Sequence, residues 1–164
     1  MDCDIHCYVE NRKKDPSNDY ERDWRSFGGR INPGRNYSIF GRLANVRQGP
    51  AVVPVRCIPD DLGFYSGDDW WLFIFGHDTQ ESGFCSVVQA KEWHDKYHLP
   101  YKMGAAGTPA WIQHPDWHSP SWVTPDEWER AIDKKDLKYA AIFSVLRFFE
   151  SAGQESRVVF WFDN

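Results

Sequence analysis

Residues 1–10 alternate without interruption: Cys3, Ile5, Cys7 and Val9 are apolar, and Asp2, Asp4, His6, Tyr8 and Glu10 between them are polar or ionisable. A strand sends successive side chains to opposite faces, so this pattern predicts a β-strand with one buried face and a second face carrying three carboxylates and an imidazole. Aspartate and glutamate are depleted in strands. A row of them therefore has two readings: a functional surface, or a charged edge that stops other strands from pairing with it.

At 164 residues the chain is expected to form a single domain, 1–164, large enough to hold a core without staples. Its four cysteines (Cys3, Cys7, Cys57, Cys85) include no CxxC pair, and Cys3 and Cys7 share one strand face. They read as reduced core residues of a cytoplasmic protein, because neither a signal-peptide apolar region nor a run approaching eighteen apolar residues is present, and no membrane partner is expected. A net charge of -5 argues against a surface that tracks long nucleic acid. Six arginines (Arg22, Arg25, Arg30, Arg35, Arg42, Arg47) nevertheless lie in one early segment, enough to hold a small anion, although solvated arginine accounts for them as well. Nine Trp, seven Tyr and eleven Phe put much aromatic surface beside polar groups, as ligand slots and partner surfaces do.

Along the chain, 13–19 (KKDPSND) is a turn signal, which predicts a hairpin whose returning strand is 20–27, ended by Gly28-Gly29. Apolar spacing predicts a helix over 36–47, stopped by Gly49-Pro50. The run 70–75 suits a buried strand and 87–98 a helix, with long irregular stretches on either side. Thr124-Pro125-Asp126-Glu127 combines an N-cap, a first-turn proline and a capping-box glutamate, so a helix begins at Pro125. A further helix covers 137–152 with Gly153 as its C-cap, and 157–162 closes the chain as a strand. The expected class is α+β, with a mainly antiparallel sheet that includes the N- and C-terminal strands, three or four helices and long loops.

On the first strand, Asp4 and His6 can form an acid–base pair or share a metal ion. A second cluster, His114, Asp116, His118 and Ser119, sits in a loop before the well-marked helix, where a rigid element can hold catalytic groups; a structural hydrogen-bonding role is the plain alternative. His94 and His98 are spaced as a helical metal chelate, but no acidic residue stands where a zinc protease needs one. His77-Asp78 is a weaker pair of the same kind. Phosphate-cradling glycine loops, the dinucleotide fingerprint, the G-x-S-x-G nucleophile, the EF-hand loop, the deaminase signature and paired H-x-[ST] motifs are all missing from the sequence.

Four blocks occur in order: Cys3-Asp4-Ile5-His6; 35–40 (RNYSIF) followed by 43–47 (LANVR); 118–124 (HSPSWVT); and 157–164 (RVVFWFDN). Together they resemble an uncharacterised family found in bacteriophage and bacterial genomes, marked by an N-terminal C-D-I-H block and a C-terminal V-F-W-F-D-N block. Asp2 stands where that family usually has Gly, and Pro120 where its relatives often carry a second His. The resemblance implies a phage-linked origin and supplies no mechanism. Its recurrent polar blocks coincide here with Asp4, His6, Tyr37, Arg47, His118, Ser119, Ser121, Arg157, Asp163 and Asn164, and with Arg42 only by neighbourhood.

These observations lead to an expected pocket between the first strand and the His118 loop that takes a phosphate-bearing nucleotide and sequesters or hydrolyses it, as a phage protein acting against a nucleotide immune signal would. Asp4, His6 and His118 are the expected catalytic groups, and Tyr37, Arg42, Arg47, Ser119, Trp122 and Arg157 the ligand-binding ones. As an enzyme it would be a phosphodiester hydrolase. Two rival readings are an inhibitor that binds a host protein through acidic and aromatic surface, and a hydrolase using a divalent metal on Asp4, His6, His118 and Asp163.

Overall fold

The fold is taken from a computed structural model, which describes residues 2–56, 59, 61, 75–76, 85–86 and 118–163. In chain order these residues form β1 (Asp4–Lys13), α1 (Asp19–Arg22), β2 (Arg25–Ser26), α2 (Tyr37–Ala44), β3 (Phe75–Gly76), β4 (Cys85–Ser86), β5 (His118–Val123), α3 (Pro125–Ala131), α4 (Leu137–Ser151) and β6 (Gln154–Asp163). Four strands make an antiparallel sheet in the order β2-β1-β6-β5, and β3 and β4 form a separate parallel pair. The class is α+β, with both chain ends in the main sheet.

The two terminal strands pair along their whole length, from Asp4 opposite Asp163 to Lys13 opposite Gln154. This register sets Ile5, Cys7 and Val9 beside Phe162, Phe160 and Val158 on one face, and Asp4, His6, Tyr8 and Glu10 beside Asp163, Trp161, Val159 and Arg157 on the other. Helices α2, α3 and α4 cover the first face. Ile39, Phe40 and Leu43 of α2, Trp128 of α3 and Tyr139, Ile142 and Leu146 of α4 join it in one buried cluster. Trp128 stacks on Tyr139 at 5.7 Å between ring centres and donates its indole N–H to the Tyr139 carbonyl, which ties α3 to α4. Fully burying a large apolar side chain contributes about 1.5–3 kcal/mol, so this cluster dominates the stability of the sheet–helix layer.

The second face is not a solvated edge. His6, Tyr8 and Glu10 are 2%, 1% and 0% exposed, and β1 is an interior strand with β6 on one side and β2 and Ile31 on the other. The edge-protection reading of the charged face is thereby overturned.

Local signals explain the element ends. Thr124 and Glu127 form the reciprocal capping box and Pro125 opens α3 as expected. The expected strand over 20–27 is different: Asn18 accepts the Glu21 N–H, Glu21 is held by Ser17 and Lys13, and the chain coils as α1 before pairing only at Arg25 and Ser26. Helix α2 is shorter than the expected 36–47. It begins after its cap Asn36 and ends at Asn45, whose left-handed backbone (φ 60°) lets the Asn45 and Val46 N–H groups bond back to Gly41 and Phe40. Arg47 thus lies outside the helix. Phe75 of the expected strand 70–75 falls in β3, while the rest of that run and the expected helix 87–98 lie outside the described residues.

Candidate functional site

Most of the sequence-derived candidates gather at one end of the sheet, where β1 starts and β6 finishes. On the second face, His6 Nε2 meets Asp163 Oδ2 at 2.7 Å, and the other oxygen of Asp163 accepts the Asp4 backbone N–H at 2.9 Å. His6 also stacks on Trp161, 5.6 Å between ring centres. Burial pushes the His6 pKa below its ordinary value; the Asp163 contact opposes this and the charge of the exposed Arg30 adds to it. Arg35 grips Asp4 with two bonds, of 2.5 and 3.2 Å, and reaches Asp2 at 2.6 Å. The Arg35 guanidinium holds the Asp4 carboxyl below the usual carboxylate range.

On the helix-covered face of the same end, the register sets His118 opposite Phe162, with ring centres 6.1 Å apart. Phe162 packs edge-on to Phe40, Phe40 to Tyr37, and the Arg47 guanidinium lies 6.0 Å from the Tyr37 ring centre. The charge of Arg47 lowers the pKa of the buried Cys3 thiol, but burial raises it more, above its ordinary value. Two residues of this rim have left-handed backbones that their side chains disfavour. Arg47 (φ 64°) is the centre of a three-residue turn closed by Gln48 N–H to the Val46 carbonyl at 2.8 Å, and a positive φ at that position is the rare, strained form. Ser119 (φ 50°) sits at the β-bulge where the pairing of β5 with β6 slips, its hydroxyl 2.9 Å from His118 Nδ1.

Other candidates are placed elsewhere or already engaged. Arg42 donates to the Arg130 carbonyl at the end of α3. Arg157, 3% exposed, bonds the buried Glu10 at 2.7 Å and both the side chain and carbonyl of Asp61, and it lies over Trp24. Trp122 has the Arg56 guanidinium 4.3 Å from its ring centre, and Arg56 in turn makes a two-bond pair with Glu127, whose carboxyl it holds below the ordinary range. Arg157 and Arg42 are thus both engaged in contacts within the fold. The chain pattern does not show which carboxylate or carbonyl an arginine will meet.

His6 and His118 do not face each other. They sit on β1 and β5, either side of β6 and on opposite faces, so strand spacing alone puts their backbones about 10 Å apart. The metal candidates divide the same way: Asp4, His6 and Asp163 on one face, His118 on the other. Among the described residues no group of three or more His, Cys, Asp or Glu side chains is placed to hold a metal ion. His77, Asp78, His94, His98, His114, Asp116 and Asn164 lie outside the described residues. Arg35 and Cys3 were missed as members of this end. The only signal for them was proximity: both lie within the family-like blocks, and Arg35 belongs to the early arginine run.

Compared with protein-family models, curated proteins and solved structures, the chain matches none. Among the described residues no helix is long and apolar enough to cross a membrane.

Proposed function

We propose that this protein binds a phosphate-bearing nucleotide at the helix-covered end of the sheet and holds it without turnover. The observation that carries this reading is the backbone strain at Arg47 and Ser119, two polar residues held in left-handed conformations at the same end of the sheet. Such conformations cost about 1–3 kcal/mol each and persist where the aim of a side chain matters. Arg47 supplies a cation for phosphate and Ser119 a hydroxyl, while Tyr37 and His118 offer planar faces to a base. Sequestration is favoured over hydrolysis by the separation of the two histidines, since a general base and acid must reach the same reacting bond. The resemblance to a phage family extends the proposal to nucleotides that carry signals in bacterial cells.

The test is incubation of the purified protein with cyclic and linear nucleotides, followed by removal of free ligand, denaturation and analysis of what is released. Intact nucleotide is expected, with binding weakened about tenfold or more in Arg47→Ala, the loss of one charge-assisted contact. Release of a cleaved product would overturn sequestration and restore the hydrolase. No retention of any nucleotide at micromolar protein would overturn the reading altogether.

A further inference from the structure

Arg47 sits at the tip of a surface loop, and a left-handed arginine persists there only if the loop around it is held. The chain leaves the end of α2 at Asn45 and returns beside the same helix, where the Val52 N–H bonds the Arg42 carbonyl at 2.9 Å. Val46 and Val53 are buried, so both ends of the loop are anchored in the core. Between them Arg47, Gln48, Gly49 and Pro50 are exposed. The Gln48 N–H closes the turn on the Val46 carbonyl, and the Gln48 carbonyl lies where a side chain of Gly41 would be.

Asn45 ties the loop across its base. Its side-chain oxygen accepts the Ala51 N–H at 2.6 Å, so one carboxamide joins the end of α2 to the far side of the loop. The same residue turns the chain out of the helix at φ 60°, a conformation that asparagine tolerates better than most residues do. Glycine would take that backbone more easily but has no acceptor, and alanine would meet neither demand. Asparagine and aspartate meet both. Because Asn45 is exposed and its bond is made to the loop, its effect falls on where the tip of the loop points.

We infer that Asn45 is a positioning residue for the nucleotide site: its bond to Ala51 holds the turn in the form that sets the Arg47 guanidinium beside Tyr37, ready for a phosphate. The inference rests on the nucleotide reading, and Asn45 acts through Arg47. Its contribution is preorganisation, since a loop that is already closed loses less freedom when a ligand binds.

The test compares two variants of the full chain. Asn45→Gly keeps the ease of the left-handed backbone and deletes the carboxamide, while Asn45→Asp keeps an acceptor oxygen. For each, the arginine Nε–H signals are recorded by two-dimensional NMR without ligand, that of Arg47 being identified by its loss in Arg47→Lys, and retention of cyclic and linear nucleotides is measured. Asn45→Gly is expected to move the Arg47 signal toward that of solvated arginine and to weaken retention about fivefold, the contribution of one neutral hydrogen bond, with the folded spectrum otherwise kept. Asn45→Asp should restore the Arg47 signal; its added carboxylate repels phosphate, so the rescue is read on the signal. An Arg47 signal unchanged in Asn45→Gly would overturn the inference. So would a signal that Asn45→Asp fails to restore, or a shifted signal with retention at the level of the unaltered protein. No retention by the unaltered protein overturns the nucleotide reading instead, and is told apart because it requires no variant.

Discussion

His6 and Asp163, 157 residues apart in the chain, meet at 2.7 Å and join the first strand to the last. The contact is a product of register. Asp4 pairs with Asp163 and His6 with Trp161, so the Asp163 carboxylate lies diagonally across from the imidazole and also caps the Asp4 backbone N–H. It binds the two chain ends where β1 and β6 would otherwise fray. The His6 ring is stacked on Trp161 and 2% exposed, with the charge of the exposed Arg30 acting on it and Arg35 bound to Asp4 on the same face.

Burial depresses the His6 pKa, so the folded protein takes up a proton at lower pH than the unfolded chain does. Below the ordinary imidazole value near 6.5 the unfolded state binds more protons, and stability falls with pH until the folded pKa is passed. The denaturation midpoint should therefore drop between pH 7 and pH 5, and His6→Gln should flatten that part of the profile. An unchanged slope in the variant would show that His6 is not the group responsible.

Arg157 is held between Glu10, which is 0% exposed, and Asp61. Removing one partner of a buried, hydrogen-bonded ion pair is strongly destabilising, so Arg157→Leu should cost about 3–5 kcal/mol in urea unfolding. The double change Arg157→Leu with Glu10→Leu should recover a large part of that loss, because the buried carboxylate is removed with its cation. If the double variant is as unstable as the sum of the singles, packing of the guanidinium over Trp24, 4.0 Å from its ring centre, is the larger contribution.

The sequence made the terminal strands, the start of α3 and the extent of α4 legible because each rests on local rules: alternation, a capping box, and a glycine after the last turn. Gly153 does take a left-handed backbone, φ 76°. Period-2 alternation shows which residues share a face, but not whether that face has a cover. For that reason the burial of His6, Tyr8 and Glu10 could not be read from it. The strand expected over 20–27 failed for a related reason. Asn18, Ser17 and Lys13 offer Glu21 and its backbone enough hydrogen bonds to favour a helical turn, which composition in that window does not reveal. Of the site, Asp4, His6, Tyr37, Arg47, His118, Ser119 and Asp163 were found at one end, while their division between two faces depends on pairing register and on the bulge at Ser119.

Gly41 has no room for a side chain. A Cβ there would lie 0.8 Å from the Gln48 carbonyl oxygen, a backbone atom that cannot swing aside. Gly41→Ala should therefore displace the loop after α2 and cost about 1–3 kcal/mol, the range for overpacking. Because that loop carries Arg47, nucleotide retention should fall together with the unfolding midpoint. Full stability in the variant would mean that the loop has an alternative seat.

Arg47 offers a sharper separation of strain from contact. Replacing it by Ala or by Gly removes the guanidinium and its contact with Tyr37 equally, but only Gly is at ease at φ 64°. The Gly variant should thus exceed the Ala variant in stability by about 1–2 kcal/mol, the cost of a left-handed L-residue. Both should lose nucleotide to the same extent if the guanidinium is what holds phosphate. Paired urea unfolding and nucleotide-retention measurements on the two variants decide the matter: equal stability would show that the turn relaxes, and retained binding in either would remove Arg47 from the site.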